Sequence, residues 1–178
     1  MGRNNGEQIK WTAYALAYVL LFLLKTLLFN RIPFHGALPE LAPLAVAAVG
    51  CFEGSFPGAV YGLAVGFFSS AVYYRSGTMM IPICTIVGML SGFTTRRQIG
   101  KTVLGGVLCG AFGILLTEAS RVGFYHMLGM NLRQSAGIAL DTLMPIAIAE
   151  AEYSALFLLP VFYLFAAVYN NFRTDTEL

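Results

Sequence analysis

No charged residue stands between Glu53 and Arg75. The run Gly54 to Tyr74, wound as an α-helix, is long enough to cross a hydrocarbon layer about 30 Å thick, and a polypeptide crosses such a layer only as helices or as a closed barrel. The rest of the chain is built the same way. Of 178 residues, 57% are hydrophobic and 11% charged, against about 25% charged in an ordinary soluble domain. So few charges cannot coat a water-facing surface of this size, which excludes a soluble enzyme and a disordered chain. A net charge of +2 excludes a polybasic nucleic-acid surface and argues against broad steering toward anionic lipid. The expected class is an all-α, polytopic membrane protein forming one domain over residues 1–178, with membrane lipid as its surroundings.

Six apolar segments are expected. Residues 1–10 are polar and read as an N-terminal segment before a first helix, Trp11 to Leu24, extended by Lys25 to Phe29, where Lys25 can snorkel. The alanines stand at the start of this run and leucines at its end, so it is read as a retained helix rather than a cleaved signal. A loop, Asn30 to Leu38, precedes Pro39 and Pro43, which open a short second segment, Leu41 to Phe52. Its rise of roughly 18–22 Å leaves open whether it crosses or enters and returns. Gly54 to Tyr74, Ser76 to Thr95 and Thr102 to Thr117 follow, the last continuing to about Phe124. Tyr125 to Leu140 reads as an external loop plus an interfacial or half-buried helix. Tyr153 to Phe172 is the last span, starting as early as Pro145 and kinked at Pro160. With six crossings, Arg3, Lys10, Arg96, Arg97, Lys101 and Arg173 share one side, and the excess of Lys and Arg on cytoplasmic loops then puts both termini, including residues 173–178, in the cytoplasm.

Small residues recur at the helical repeat. Gly54, Gly58, Gly62 and Gly66 lie four apart; Gly88 and Gly92, Gly106 and Gly110, and Ala13 and Ala17 repeat the spacing. Residues four apart share a helix face, and a face without side chains lets another backbone approach closely in lipid. The partner backbone is either elsewhere in this chain or in another protein. Cys51, Cys84 and Cys109 each lie in apolar sequence with no CxxC spacing, so they are read as small buried hydrophobes and no metal site is expected.

Ionisable groups in apolar surroundings are functional candidates. Glu118 and Arg121 are three apart and can pair; His126 lies eight after Glu118, and Asp141, Glu150 and Glu152 flank the last span. Glu118, Arg121, His126 and Glu150 either line an outward pocket or form an interfacial cluster, solvated or self-paired. No nucleophile elbow, P-loop or HExxH occurs, so no catalytic residue and no cofactor is expected.

Motif order adds a resemblance. Thr26-Leu27-Leu28, Gly36-Ala-Leu-Pro39-Glu40-Leu41, Gly58-Ala-Val-Tyr-Gly62-Leu-Ala-Val-Gly66-Phe67, Ser76-Gly77, Val87-Gly88-Met-Leu-Ser-Gly92 and Glu152-Tyr153-Ser-Ala-Leu-Phe-Leu-Leu-Pro160-Val-Phe-Tyr163 follow one another in a way that resembles the rod shape-determining protein MreD family, over roughly Thr26 to Phe172. Ser70 stands where that family usually has an Asp. The resemblance implies a non-enzymatic scaffold of the bacterial cell-elongation machinery in the plasma membrane. It would associate with an MreC-like bitopic protein and, through it, with MreB and the peptidoglycan synthases RodA and PBP2. It also implies a six-helix fold similar to the substrate-binding S components of energy-coupling factor transporters. That fold supplies a rival expectation, a vitamin-binding S component docking its partner through Ala13 and Ala17, with a small-molecule ligand near Glu118, Arg121, His126 and Glu150. A third is an unrelated small membrane protein sharing the packing pattern.

Overall fold

Proline and glycine divide the apolar sequence into helices. In the computed structural model the described residues are 3–29, 38–72, 79–95, 102–131 and 136–173, and side chains are described for 7–27, 38–72, 79–95, 102–124 and 144–172. Among them all regular structure is helical. The helices are α1 (Arg3–Leu24, continued by a π-helical turn, Lys25–Phe29), α2 (Ala42–Glu53), α3 (Ser55–Val72), α4 (Met80–Thr95), α5 (Val103–Asn131), α6 (Ala136–Leu156) and α7 (Leu158–Arg173). The expected loop around Pro33 and Gly36, and the basic residues Arg75, Arg96, Arg97 and Lys101, fall outside the described residues, as do 174–178.

Three stretches are long and apolar enough to cross a bilayer: Glu7–Leu27, Ser55–Val72 and Val103–Phe124. The pair Met144–Leu156 and Leu158–Phe172, bent by 44°, makes a fourth if it is one broken span. That is fewer than the six expected. With 12 and 16 residues, α2 and α4 rise only about 18 and 24 Å, short of the roughly 30 Å a crossing needs.

Three further expectations change. The polar N-terminal segment is helical from Arg3, so α1 starts earlier than its apolar run. In the stretch expected to hold a loop and a separate helix, Tyr125 to Asn131 instead continues α5, and α6 begins at Ala136. The last span is two helices that break at Phe157, not at Pro160 itself. The proline ring clashes with the carbonyl four residues back, which is Leu156, where α6 ends.

The core sits around α2. Every residue from Ala42 to Phe52 is buried. A helix that is apolar all round needs neighbours all round, and α2 touches α1, α3, α4, α5 and α7. Two ion pairs fix its direction. Lys25 Nζ lies 3.0 Å from Glu40 just before α2, and Lys10 Nζ lies 2.7 Å from Glu53 at its end. So α2 runs antiparallel to α1 and covers the depth between those two lysines. Tyr14 stacks on Phe165 of α7, and Lys10 Nζ lies 5.9 Å from the Tyr169 ring centre, which brings the start of α1 beside the end of α7.

Candidate functional site

Two arrangements stand out: a backbone-to-backbone seam, and a buried ionic network at one end of the bundle.

The seam forms because glycines remove the side chains that would hold helices apart. A Cβ on Gly58 would lie 2.5 Å from the Gly88 carbonyl oxygen. One on Gly62 would lie 2.7 Å from the Cys84 carbonyl carbon, and one on Gly66 would lie 2.7 Å from Ile81 Cα. One on Gly92 would overlap Gly54 and Ser55. Each step of about four along α3 is matched by a similar step back along α4, so the two are antiparallel and touch along their length. Gly50 of α2 joins them, since its Cβ would meet Gly88 O at 2.6 Å. Thr95 Oγ1 donates to the carbonyls of Gly50 and Cys51 at 3.1 and 2.8 Å, satisfying the end of α2.

Gly54 has a different role from the one its spacing predicts. It is not on the α3 face but forms the elbow between α2 and α3, at φ +102°, with open space around its missing Cβ. Its N–H bonds Gly50 O at 3.0 Å, closing α2, and its carbonyl accepts from Gly58 N at 2.9 Å, opening α3. Gly106 and Gly110 of α5 receive side chains instead of backbone, the Phe162 ring and the tip of Leu158 from α7. Ala17 is buried and Ala13 half-buried on α1. Gly50 lies outside the expected set, although it stands four residues before Gly54 and continues the same spacing.

The ionic network joins four parts of the chain. Arg121 of α5 pairs with Glu118, one turn before it, and with Glu150 of α6. Ser154 Oγ donates to the Glu150 carbonyl at 2.7 Å and accepts from Glu40 N–H at 2.8 Å. Glu40 in turn pairs with Lys25. Lys25, Glu118, Glu150 and Ser154 are each less than a tenth exposed. Charges this deep persist only when paired and hydrogen-bonded. Three carboxylates share two cations, so the chemistry available is mutual neutralisation that ties α5 and α6 to the two ends of the α1–α2 connection.

The structure therefore brings together Glu118, Arg121 and Glu150 of the expected group. His126 lies on α5, with its side chain outside the described residues, and Glu152 is exposed on α6. Lys25, Glu40 and Ser154 were not singled out as site residues by sequence. A lone Lys inside an apolar run, followed by an acid flanked by Pro39 and Leu41, is the signal that could have found the first two. At the other end, Glu53 accepts from both Lys10 and Tyr14, at 2.7 Å each. Among the described residues, no group of three or more His, Cys, Asp or Glu is arranged to hold a metal.

Between α1 and α3 lies an apolar groove of about 320 Å³, lined by Trp11, Tyr18, Val19, Val60, Ala64 and Phe68 among others. It is bridged from inside by tyrosines. Tyr61 donates to the Tyr14 carbonyl at 3.1 Å, and Tyr18 and Ser69 share a hydrogen bond of 2.7 Å.

Comparison with protein-family models, with curated proteins and with solved structures gives no match to this chain.

Proposed function

We propose that this chain is a non-enzymatic membrane scaffold of the bacterial cell-elongation machinery, as the order of its motifs suggests. The observation that carries the reading is a division of labour. The inner faces of α2, α3 and α4 are joined backbone to backbone. The outer faces of α1 and α3 present Leu16, Leu20 and Leu27, and Val60, Leu63 and Phe67, all more than half exposed. A firm centre with large apolar side chains outside suits a subunit that other membrane helices are built against.

In this reading α2 and α4 complete six crossings, with α6 and α7 as one bent span. The two lysine–glutamate pairs support this, because α2 covers the same depth as the middle of α1. Both termini are cytoplasmic, on the side of Arg3, Lys10, Arg96, Arg97, Lys101 and Arg173. The direct partner is an MreC-like bitopic protein, with RodA, PBP2 and MreB reached through it. Depletion in a rod-shaped host should round or widen the cells, and capture from solubilised membranes should recover the bitopic partner. Unchanged rods in a host with no second copy defeat the proposal.

One observation favours a second reading. Glu118, Arg121 and Glu150 converge at the end of the bundle away from the start of α1, where a vitamin-binding S component would hold its ligand. Thermal shift against thiamine, riboflavin and biotin separates the two, since a ligand at 1,000 times its Kd adds about 4 kcal/mol. The scaffold reading expects no shift with any of them.

A further inference from the structure

An apolar groove and a polar cleft meet at Trp11. The groove between α1 and α3, about 320 Å³ in volume, stays open because Ala15 and Ala64 in its walls are too small to close it. The two helices run the same way, since Tyr61 meets Tyr14 and Ser69 meets Tyr18. From Trp11 to Val19, and from Val60 to Phe68, each wall rises about 12 Å. That is close to one leaflet, half of a hydrocarbon layer about 30 Å thick. The inner end is shut by Phe68, whose ring centre lies 6.0 Å from that of Tyr18 and 5.1 Å from that of Phe22. The tyrosine hydroxyls behind the groove already bond the Tyr14 carbonyl, Ser69 and Glu53, so what fits it is hydrocarbon.

The outer end is polar. A cleft of about 520 Å³, lined among the described residues by Glu7, Gln8, Trp11 and Thr12, opens there, beside the Lys10–Glu53 pair. Thr12 Oγ1 donates to the Gln8 carbonyl at 2.8 Å, which leaves its lone pairs as acceptors. Lys10 is neutralised by Glu53, whereas Glu7 forms no ion pair among the described residues. Trp11 belongs to both groove and cleft, and ring contacts with Tyr14 and Tyr61, at 5.8 and 6.4 Å between centres, hold it in place. Its amphipathic indole suits the headgroup level.

We propose that groove and cleft together form a site for one aminophospholipid, a lipid whose headgroup ends in a primary ammonium. One acyl chain lies in the groove, and the ammonium meets Glu7, with Gln8 and Thr12 as further acceptors. Charge selects the headgroup, because a carboxylate without a cation favours an ammonium and repels an anionic lipid. Length and volume select the tail. A helix is about 10 Å across, so 12 Å of one displaces roughly 900 Å³, far more than the groove holds. A membrane-spanning helix would also run on past Phe68, where the groove ends. Surrounding lipid supplies no hydrophobic drive for a chain to enter, so the preference comes from the headgroup and from filling a void. The site rests on the membrane placement proposed above, and not on which proteins the chain joins.

The test uses the full-length protein in phosphatidylcholine vesicles, doped with phosphatidylethanolamine or phosphatidylglycerol that carries bromine on its acyl chains. Bromine quenches a nearby indole, and Trp11 is the one tryptophan of the chain, so the signal comes from the site itself. Brominated phosphatidylethanolamine should reach half-quenching at about 3- to 5-fold lower mole fraction than brominated phosphatidylglycerol, the selectivity that one exposed charge pair supports. Glu7→Gln should abolish that difference. Ala64→Leu, which fills the groove, should abolish it too while leaving thermal stability unchanged. Leu63→Ala, at an exposed position of α3 outside the groove, should leave the difference as it is. Equal quenching by the two lipids in the unmodified protein overturns the site. So does a preference that survives Glu7→Gln or Ala64→Leu, or a Trp11 shielded from both lipids, as a second copy seated in the groove would leave it. Protein that fails to float with the vesicles overturns the membrane placement instead, a result read before any lipid is compared.

Discussion

Gly58 and Gly88 meet backbone to backbone: a Cβ built on Gly58 would sit 2.5 Å from the Gly88 carbonyl oxygen, and one on Gly88 would collide with the Gly58 carbonyl in return. The contact is reciprocal, so no side-chain rotation relieves a substitution on either side. Helix association in lipid depends on this kind of closeness, because the apolar surroundings supply no hydrophobic drive.

Gly88→Ala should therefore push α4 off α3 and α2 and destabilise by about 1–3 kcal/mol or more, the range for overpacking. Gly62→Leu should be worse and should lower membrane abundance. Gly123→Ala is the control. Nothing lies within 4 Å of the added methyl, and Ala is the better helix former by up to about 1 kcal/mol. Thermal unfolding in detergent ranks the three. Equal stability of Gly88→Ala and Gly123→Ala would mean that the seam carries no load.

Gly54→Ala separates conformational strain from crowding. There is room for the methyl, yet φ is +102°. Strained backbone of this kind costs on the order of 1–3 kcal/mol. A loss in that range by chemical denaturation, without any change in the packing of α3 on α4, is the expected outcome. A neutral result would show that the elbow reaches another geometry freely.

Arg121→Met removes the cation that bridges Glu118 and Glu150. Breaking a buried ion pair from one side costs about 3–5 kcal/mol, because the partners keep their charge without compensation. Adding Glu118→Gln and Glu150→Gln to that variant should recover part of the loss. The measurement is a mutant cycle by thermal unfolding, and strictly additive losses would show that the three residues act independently.

Pro160→Ala returns an N–H to α7 and removes the clash with Leu156. The 44° bend between α6 and α7 should decrease. Spin-label distances between the exposed positions Ile148 on α6 and Ala167 on α7 report it directly. A bend that persists unchanged would assign it to the surrounding helices.

The sequence made the helical class readable because long uncharged runs have few other uses, and it made the Glu118–Arg121 pair readable because three residues span one turn. What it hid was tertiary. Gly54 keeps the four-residue spacing of the α3 face yet serves as a turn, and nothing in the spacing distinguishes the two uses. Gly50 belongs to the seam only because Gly54 folds α2 back on α3. Lys25 finds Glu40 across a connection, and Glu53 finds Lys10 across two helices, distances at which no local periodicity operates. The break falls at Phe157 rather than Pro160 because a proline acts on the carbonyl four residues before it.

The burial of α2 on all sides has a consequence for biogenesis. For a chain placed in a bilayer as proposed, a 12-residue helix is too short to rest stably among acyl chains alone. Its Phe52 side chain is covered by Phe162 and Tyr169, which belong to α7, the helix that leaves the ribosome after the other six. The middle of the molecule is thus finished by a late arrival, and a nascent chain interrupted before α7 presents an unsheltered segment to quality-control proteases.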